Sequence, residues 1–101
     1  MRRVPVTDPC SQIFHALADP TRQQILKLLK KKECSVSDIC EHFDVTQPSI
    51  SHHLDILKRC GLVQSEKRGR YVYYRFVPTV IVACCGVMLG DLDVTIKKRR
   101  S

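Results

Sequence analysis

The 101-residue sequence predicts a mainly α fold of class α+β, with about five helices and one two-stranded β-hairpin. Through most of the chain, apolar residues recur at the i, i+3, i+4 and i+7 spacing of amphipathic helices. Residues 62–77 change to the alternating pattern of two strands around a turn. Two Asp-Pro pairs and two further capping signals mark the starts of helices. We therefore expect a single domain that spans residues 1–101.

Two short helices are predicted at the beginning of the chain. Asp8 followed by Pro9 indicates the start of the first helix, whose apolar stripe includes Cys10. Asp19 and Pro20 repeat the same signal and start a second helix with apolar residues on one face and lysines on the other. Each of these helices therefore has one face to bury.

A helix-turn-helix unit is predicted next. Ser35 and Asp38 have the spacing of a capping box at the start of a helix of about two turns. Thr46 can cap the following helix, Pro48 falls within its first turn, and Gly61 ends it. Because so few residues separate the two helices, the arrangement is that of a helix-turn-helix.

The second helix of this unit is predicted to read DNA. Ile50, Leu54 and Leu57 recur at i, i+4 and i+7 and form its inward stripe. The opposite side carries short hydrogen-bonding side chains, placed where a recognition helix contacts base edges, and then basic residues for phosphates. The alternative is an ordinary solvated face. The candidate DNA-binding residues of this helix are Gln47, Ser49, Ser51, His52, Lys58 and Arg59.

The hairpin that follows is predicted to be a wing. Its turn is expected at residues 67–70, with Val72, Tyr74 and Phe76 facing inward. A basic hairpin tip directly after a recognition helix is positioned to touch phosphates or an adjacent minor groove, and a solvated turn is the alternative. The candidate DNA-binding residues of the wing are Lys67, Arg68 and Arg70. The expected architecture is a winged helix-turn-helix.

The last helix is expected at about residues 79–90. Val80, Ile81 and Val82 individually favour a strand, but the run is long for a strand and continues at helical spacing. Such an apolar helix has too little of its own domain to cover it. We therefore expect a homodimer in which residues 8–18 and 79–90 form the interface. The basic residues 97–100 are expected to be a solvated end.

The charge balance favours a polyanionic partner. Seventeen Lys and Arg against ten Asp and Glu give a net charge of +7 and a pI near 9.3. The N-terminus lacks the apolar core of a signal peptide, and the apolar run 80–89 is shorter than the ~20 residues of a membrane span. We expect a soluble, cytoplasmic protein that binds double-stranded DNA, with neither a membrane nor a small organic substrate as partner. No activated nucleophile or pair of carboxylates indicates an enzyme.

Four phrases together resemble a known family. LADPTRQQILKLL, SVSDICEHF, TQPSISHHLDILKRCGLV and GRYVYYRF are similar, in order and spacing, to the ArsR/SmtB family of dimeric winged-helix repressors that sense metals and metalloids. The likeness covers about residues 12–77. It implies a homodimer with two recognition helices in successive major grooves of an inverted-repeat operator. It also implies that bases are contacted by Gln47, Ser49, Ser51 and His52, with Arg68 and Arg70 in the wing.

The two metal sites most familiar in this family are incomplete in the sequence. Arsenic-binding members often carry three cysteines in a C-V-C-D-L-C phrase, whereas residues 35–40 here read SVSDIC. Two of the three thiols are therefore serines, and only Cys34 could compensate. The family's zinc site of Asp and His ligands also fails, because no histidine follows His53 and Asp91 and Asp93 cannot build the site alone.

The remaining thiols suggest a different metalloid site. Cys84 and Cys85 are predicted on one apolar stripe of the last helix, and Cys10 on the matching stripe of the first helix is the candidate third ligand. Three sulfurs suit As(III) or Sb(III), ahead of Cd(II), Pb(II) or Zn(II). The alternative treats each cysteine as a small buried hydrophobe, which we expect for Cys34, Cys40 and Cys60. Without an export signal, all six cysteines are expected as thiols.

Three hypotheses of function stay open. The first is a repressor that leaves its operator when As(III) or Sb(III) binds its cysteines. The second is a thiol-oxidation or persulfide sensor on the same DNA-binding frame, which needs two cysteines and no metal. The third is a winged-helix module that binds another protein, for which the basic wing offers little support.

Overall fold

A computed structural model describes residues 9–91, and the predicted winged helix-turn-helix is confirmed. All five predicted helices and the hairpin are present, together with one additional short strand. In chain order the elements are α1 (Pro9–Leu17), α2 (Pro20–Lys31), β1 (Cys34–Ser35), α3 (Val36–His42), α4 (Gln47–Arg59), β2 (Val63–Arg68), β3 (Tyr71–Phe76) and α5 (Thr79–Asp91). The predicted cap Asp8, the residue Asp93 and the basic residues 97–100 lie outside the described residues.

Local capping explains where three of the helices begin. The Asp19 carboxylate accepts hydrogen bonds from the backbone N–H groups of Thr21 and Arg22, at 2.8 and 3.1 Å. Ser35 and Asp38 form the predicted capping box, in which each side chain accepts a hydrogen bond from the other residue's backbone N–H at 3.1 Å. Thr46 accepts from the backbone N–H of Ser49 at 3.3 Å. Each cap satisfies amide groups that have no partner within the helix, so each start is fixed by the local sequence.

The core lies between α2, α3 and α4, and the inner face of the sheet covers it. The inward stripe predicted for α4 is buried as expected. Side chains of α1 and α5 reach the same core from the two ends of the described chain. The fully buried apolar side chains include Ile25, Ile39, Ile50, Leu54, Leu57, Leu62 and Val63.

The sheet has three antiparallel strands in the order β1-β3-β2. The strands of the hairpin run on to Arg68 and resume at Tyr71, so the turn is shorter than the predicted residues 67–70. Gly69 occupies this turn with φ 64°, a conformation that glycine adopts without strain. In β1, Cys34 pairs with Tyr74 of β3. The sequence did not predict this strand, because two residues are too few to show an alternating pattern.

The end of α4 is where α1 and α5 meet the recognition helix. The Cys60 thiol donates to the backbone oxygen of Gln12 in α1, with sulfur and oxygen 3.7 Å apart. Gly61 has φ 79°, and a Cβ at this position would lie 3.5 Å from Val80 of α5. The C-terminal end of α4 therefore contacts both terminal helices. Within residues 9–91, no helix is long and apolar enough to cross a bilayer.

Truncation of the recognition helix's buried stripe tests this packing. Leu54→Ala should lower the free energy of unfolding by about 2–5 kcal/mol, because it removes buried methyl groups and leaves a cavity. Urea unfolding at a fixed protein concentration measures the change. Val45→Ala, at a 38 % exposed apolar side chain in the turn before α4, is the control and should change the free energy by less than about 0.5 kcal/mol. Equal effects of the two substitutions would contradict the assigned core.

Candidate nucleic-acid interface and thiol pair

The polar face of α4 projects from the protein on the side opposite its buried stripe. Gln47, Ser51 and His52 are exposed, and Ser49 is half-buried at the first turn. These side chains carry donors and acceptors of the kind that read base edges in a major groove. Their outward direction follows from the helical period, because the inward positions of the same turns are buried in the core. The structure thus presents all four sequence-predicted base-reading candidates at or near the surface.

Basic side chains follow at the end of the same helix. Lys58 and Arg59 are both exposed. The Arg59 guanidinium pairs with the Asp55 carboxylate one turn earlier, 2.7 Å apart, and the two side chains are 75 % and 54 % exposed. A solvated pair of this type is weak, so a phosphate can compete for the arginine. Contact of Lys58 and Arg59 with DNA stays a prediction.

All three predicted basic residues of the wing are exposed, and they differ in whether an ion pair engages them. Among residues 9–91, no ion pair engages Lys67 or Arg70, and both are exposed. Arg68 instead lies 2.8 Å from both Glu66 and Glu33, with its guanidinium 5.0 Å from the centre of the Tyr73 ring. The hydrogen bond to Glu66 raises the pKa of Arg68 most, and the hydrogen bond to Glu33 raises it further. Arg68 therefore ties the hairpin to the segment before β1, and its contact with DNA stays a prediction.

A buried arginine near the recognition helix was missed by sequence reasoning. The Arg22 side chain is 8 % exposed; its Nε donates to the backbone oxygen of Ala16 at 2.7 Å, and its Nη1 donates to His53 Nδ1 at 3.2 Å. An arginine in the first turn of a lysine-rich helix has no pattern that separates it from a solvated one. Contact with His53, far along the chain, is visible only in three dimensions.

His53 is held as a neutral acceptor in this contact. A guanidinium only donates hydrogen bonds, so His53 Nδ1 must accept and the ring proton lies on Nε2. Burial lowers the pKa of His53, Arg22 and His52 lower it further, and Asp19 opposes them. The pKa of Asp19 is itself lowered: burial alone would raise it, but the backbone N–H groups of Arg22 and Thr21 stabilise the carboxylate.

Cys10 and Cys84 form a disulfide that joins α1 to α5, with their Cα atoms 5.4 Å apart. The expectation that all six cysteines are thiols is therefore wrong for this pair. The spacing along the sequence could not indicate the bond, because 74 positions separate the two residues. The structure does bring together the two helices whose cysteines were predicted to cooperate.

Cys85 does not share the position of Cys84. Cys84 is 6 % exposed and Cys85 is exposed, so the prediction that both lie on one stripe is wrong within the single chain. Successive residues of an α-helix point about 100° apart, which turns one thiol outward when the other is buried. Within residues 9–91, no group of three His, Cys, Asp or Glu side chains is placed to hold a metal ion. The roles predicted for Cys10, Cys84 and Cys85 as ligands stay predictions.

The other cysteines pack in or against the core. Cys34 is fully buried in β1, and burial raises the pKa of its thiol, with a further increase from Asp38. Cys60 and Cys40 are half-buried and contact the core. Burial also raises the pKa of the Cys60 thiol. A raised pKa reduces the thiolate fraction, so Cys34 and Cys60 are poor nucleophiles and poor metal ligands.

The recognition helix, its turn and the basic wing place the chain in the class of winged helix-turn-helix regulators. The family model described as "Bacterial regulatory protein, arsR family" matches residues 19–65. The chain is 44 % identical over 83 residues to the transcriptional repressor SdpR of Bacillus subtilis, covering 82 % of this chain and 92 % of that one. The chain therefore belongs to the arsR family of bacterial regulatory proteins.

Two further comparisons agree with this assignment. The arsenical resistance operon repressor of Escherichia coli is 43 % identical over 70 residues, which cover 68 % of this chain and 60 % of that one. The solved structure of an ArsR-like transcriptional regulator from Rhodococcus superposes with a TM-score of 0.75 at 32 % identity, covering 84 % of this chain and 79 % of that one. These relatives are regulators of transcription, and the chain is accordingly not assigned as an enzyme.

Thiol counting tests the disulfide. Alkylation of the unfolded, unreduced protein should modify four cysteines (the six in the chain minus the bonded pair), and prior reduction should expose all six. Cys10→Ser should raise the unreduced count by one, because it frees Cys84, whereas Cys85→Ser should lower that count by one. Intact-mass spectrometry after alkylation reads the number directly. Six modified cysteines in air-oxidised protein would show that the bond is absent.

Proposed function

We propose that this protein is a DNA-binding transcriptional repressor that acts as a homodimer on an inverted-repeat operator and is released by sulfur chemistry at Cys10 and Cys84. The observation that carries the DNA-binding part is the exposed polar face of α4, formed by Gln47, Ser51 and His52, in a chain whose next element is the basic hairpin. A helix in the major groove and a hairpin on the flanking backbone form a combined surface suited to duplex DNA. The net charge of +7 supports the same partner.

The outer face of α5 supports the homodimer. Val82 is 70 % exposed, and Ala83, Cys85 and Gly86 on this helix are exposed as well. A contiguous apolar face on a chain of this size favours burial against a second copy. We therefore propose that the interface is formed by residues 8–18 and 79–90, as the sequence predicts. A twofold pair would place two recognition helices on successive half-sites.

As(III) or Sb(III) is one candidate trigger. In the reduced protein, Cys10 and Cys84 would offer two adjacent thiolates, and Cys85 is the third candidate, from the same or the second subunit. The name of the arsenical resistance repressor from Escherichia coli supports this class of ligand. Cd(II), Pb(II) and Zn(II) are weaker candidates. Because thiolates bind the ion, its affinity should rise with pH and binding should release protons.

Oxidation of the same pair is the second candidate, and the Cys10–Cys84 bond favours it. One thiolate attacks a peroxide, breaks the O–O bond and becomes a sulfenic acid, while the other peroxide oxygen leaves as water or an alcohol. The second thiol then attacks that sulfur, forms the S–S bond and releases water. Two electrons pass from the two thiols to the peroxide, and no metal is needed.

Either trigger would act on the spacing of the recognition helices. Both change how α1 is held against α5, and α1 contacts the end of α4 through the Cys60 thiol and the backbone of Gln12. A coupling of about 1–3 kcal/mol between the thiol site and the DNA site would weaken operator binding by roughly one to two decades.

Substitutions in the two DNA-facing elements should have different effects. Gln47→Ala and Ser51→Ala should each cost about 1–3 kcal/mol on the operator and little on scrambled duplex, because they remove contacts to bases. Arg70→Ala should weaken both duplexes alike and reduce the slope of log affinity against log salt by about 1. Fluorescence anisotropy over a salt series measures both effects.

Lys27→Ala is the matched control for loss of charge. Lys27 is exposed on α2 and lines a groove with His42 and Phe43 at the end of α3, so it belongs to neither of the two elements proposed to contact DNA. It should leave operator affinity nearly unchanged. If Lys27→Ala and Arg70→Ala weaken binding equally, the wing has no specific place in the complex.

The trigger is identified by adding candidate inducers to the protein–operator complex. We expect As(III), Sb(III) or peroxide to release wild-type protein, and Cys10→Ser and Cys84→Ser to abolish that release, because either substitution breaks the pair. Cys85→Ser separates the candidates, since a three-sulfur ion site needs Cys85 and a disulfide does not. Gel shift under anaerobic conditions, with Cd(II) in parallel, gives the readout.

Cys40→Ser, at a half-buried cysteine of α3, is the control for general thiol damage. It should respond to every inducer as wild type does. If the Cys10→Ser, Cys84→Ser double variant still releases DNA on addition of the inducer that releases wild type, sulfur chemistry at this pair is not the trigger.

A further inference from the structure

Arg22 is a buried cation that connects three helices. It belongs to the first turn of α2, its Nε donates to the Ala16 backbone oxygen at the end of α1, and its Nη1 donates to His53 in the middle of α4. Only 8 % of the residue is exposed. A guanidinium is costly to bury, and the contacts that compensate for this cost belong to two neighbouring helices rather than to a paired carboxylate.

We infer that Arg22 is a positioning residue that sets the orientation of the recognition helix relative to α1, the helix that carries Cys10. This inference rests on the proposed DNA-binding function. It identifies the contact through which a change at the Cys10–Cys84 pair would reach the polar face of α4. The recognised ligand is still duplex DNA; Arg22 itself is buried and would touch no base.

The geometry of arginine fits this role, and that of lysine does not. A guanidinium presents N–H donors in fixed directions, so Nε and Nη1 can hold two acceptors at a set angle. The ammonium of a lysine is a point charge on a flexible stem and cannot reproduce that angle. Arg22 therefore fixes the direction from Ala16 to His53, and not only their separation.

His53 transmits this direction to the residues that face DNA. It is adjacent to exposed His52 and one helical turn after Ser49, and all three belong to the same helix. Because hydrogen bonds within the helix make α4 rigid along its length, a rotation at His53 turns the whole polar face. Small misplacements matter there, since bidentate contacts to base edges depend on direction.

The contact between Arg22 and Ala16 links the recognition helix to the Cys10–Cys84 pair. Cys10 and Ala16 lie in one helix, so a displacement of Cys10 relative to Cys84 moves the backbone oxygen that Arg22 holds. The Cys60 contact with Gln12 is a second attachment of α4 to α1, near the far end of the recognition helix. With α4 attached to α1 at two points, a movement of α1 tilts α4.

The pH dependence of this contact provides a readout beyond stability. The charged and titratable groups acting on His53 are Asp19 and Arg22 at the start of α2 and His52 on its own helix. Protonated His53 cannot accept from Arg22, so acid breaks the contact. Protonation of exposed histidines strengthens all DNA binding by adding charge. The ratio of operator affinity to scrambled-duplex affinity removes that general effect.

The experiment compares Arg22→Lys, His53→Gln and Gln23→Ala with wild type. The operator probe is a duplex that wild-type protein selects from a pool of randomised inverted repeats, and the reference is a scrambled duplex of the same composition. Gln23→Ala is the matched control: the Gln23 side chain also donates from α2 to an α1 backbone oxygen, that of Leu17 at 2.6 Å, and it is exposed. Anisotropy measures the affinity ratio, and urea unfolding confirms that each variant is folded.

We expect Arg22→Lys to lower the affinity ratio by about tenfold or more and Gln23→Ala to leave it unchanged. In wild type the ratio should hold above about pH 6.5 and fall at lower pH as His53 protonates, because burial keeps the pKa of His53 below its ordinary value. His53→Gln should flatten that profile, because a glutamine carbonyl accepts from Arg22 and does not titrate. His52→Gln should keep the decline.

The outcomes separate this inference from the function on which it rests. If wild type selects no duplex, the proposed function fails. If wild type selects an operator and folded Arg22→Lys keeps the full ratio, the inference is overturned. Should Arg22→Lys fail to fold, the pH profile decides: a flat profile in His53→Gln supports the positioning role, and a profile like that of wild type contradicts it.

Discussion

The apolar stripe of α4 is the constraint on which the other surfaces depend. Ile50, Leu54 and Leu57 are fully buried, and together they fix both the axis and the rotation of the recognition helix. The polar face can point outward only because this stripe faces in, since both belong to one rigid helix. The wing then extends from the end of the same helix, so its position is inherited from the same packing.

A chain of this length has one small core, and the terminal helices contact its functional part directly. α1 and α5 meet at the end of α4, where Cys60, Gly61 and Val80 lie close together. The Cys10–Cys84 bond closes a loop across almost the whole described chain. The loss of loop-closure entropy in the unfolded chain alone would stabilise the folded state by about 4.5 kcal/mol. A thiol change there therefore affects the arrangement of the recognition helix through short, packed contacts.

Local signals in the sequence predicted the helices and the hairpin. They could not predict contacts between residues that lie far apart in the chain. Caps at Asp19, Ser35 and Thr46 act over three residues, so the helix starts could be predicted from spacing alone. The contacts of Arg22 with His53 and of Arg68 with Glu33 join residues far apart in the sequence, and nothing local indicates them. Helical periodicity correctly predicted that about residues 79–90 form a helix, but it did not predict that Cys84 is buried while Cys85 is exposed.

Hydroxyl-radical footprinting of the reduced protein on its selected operator tests whether two copies of the chain bind DNA through α4 and the wing. A dimer should give two protected stretches related by twofold symmetry, with centres one helical turn of about 10–10.5 base pairs, or a multiple of it, apart. The backbone beside each stretch, where the wing lies, should be protected as well. A single unsymmetrical protected stretch, or uniform protection without regard to sequence, would contradict a dimeric winged-helix reader.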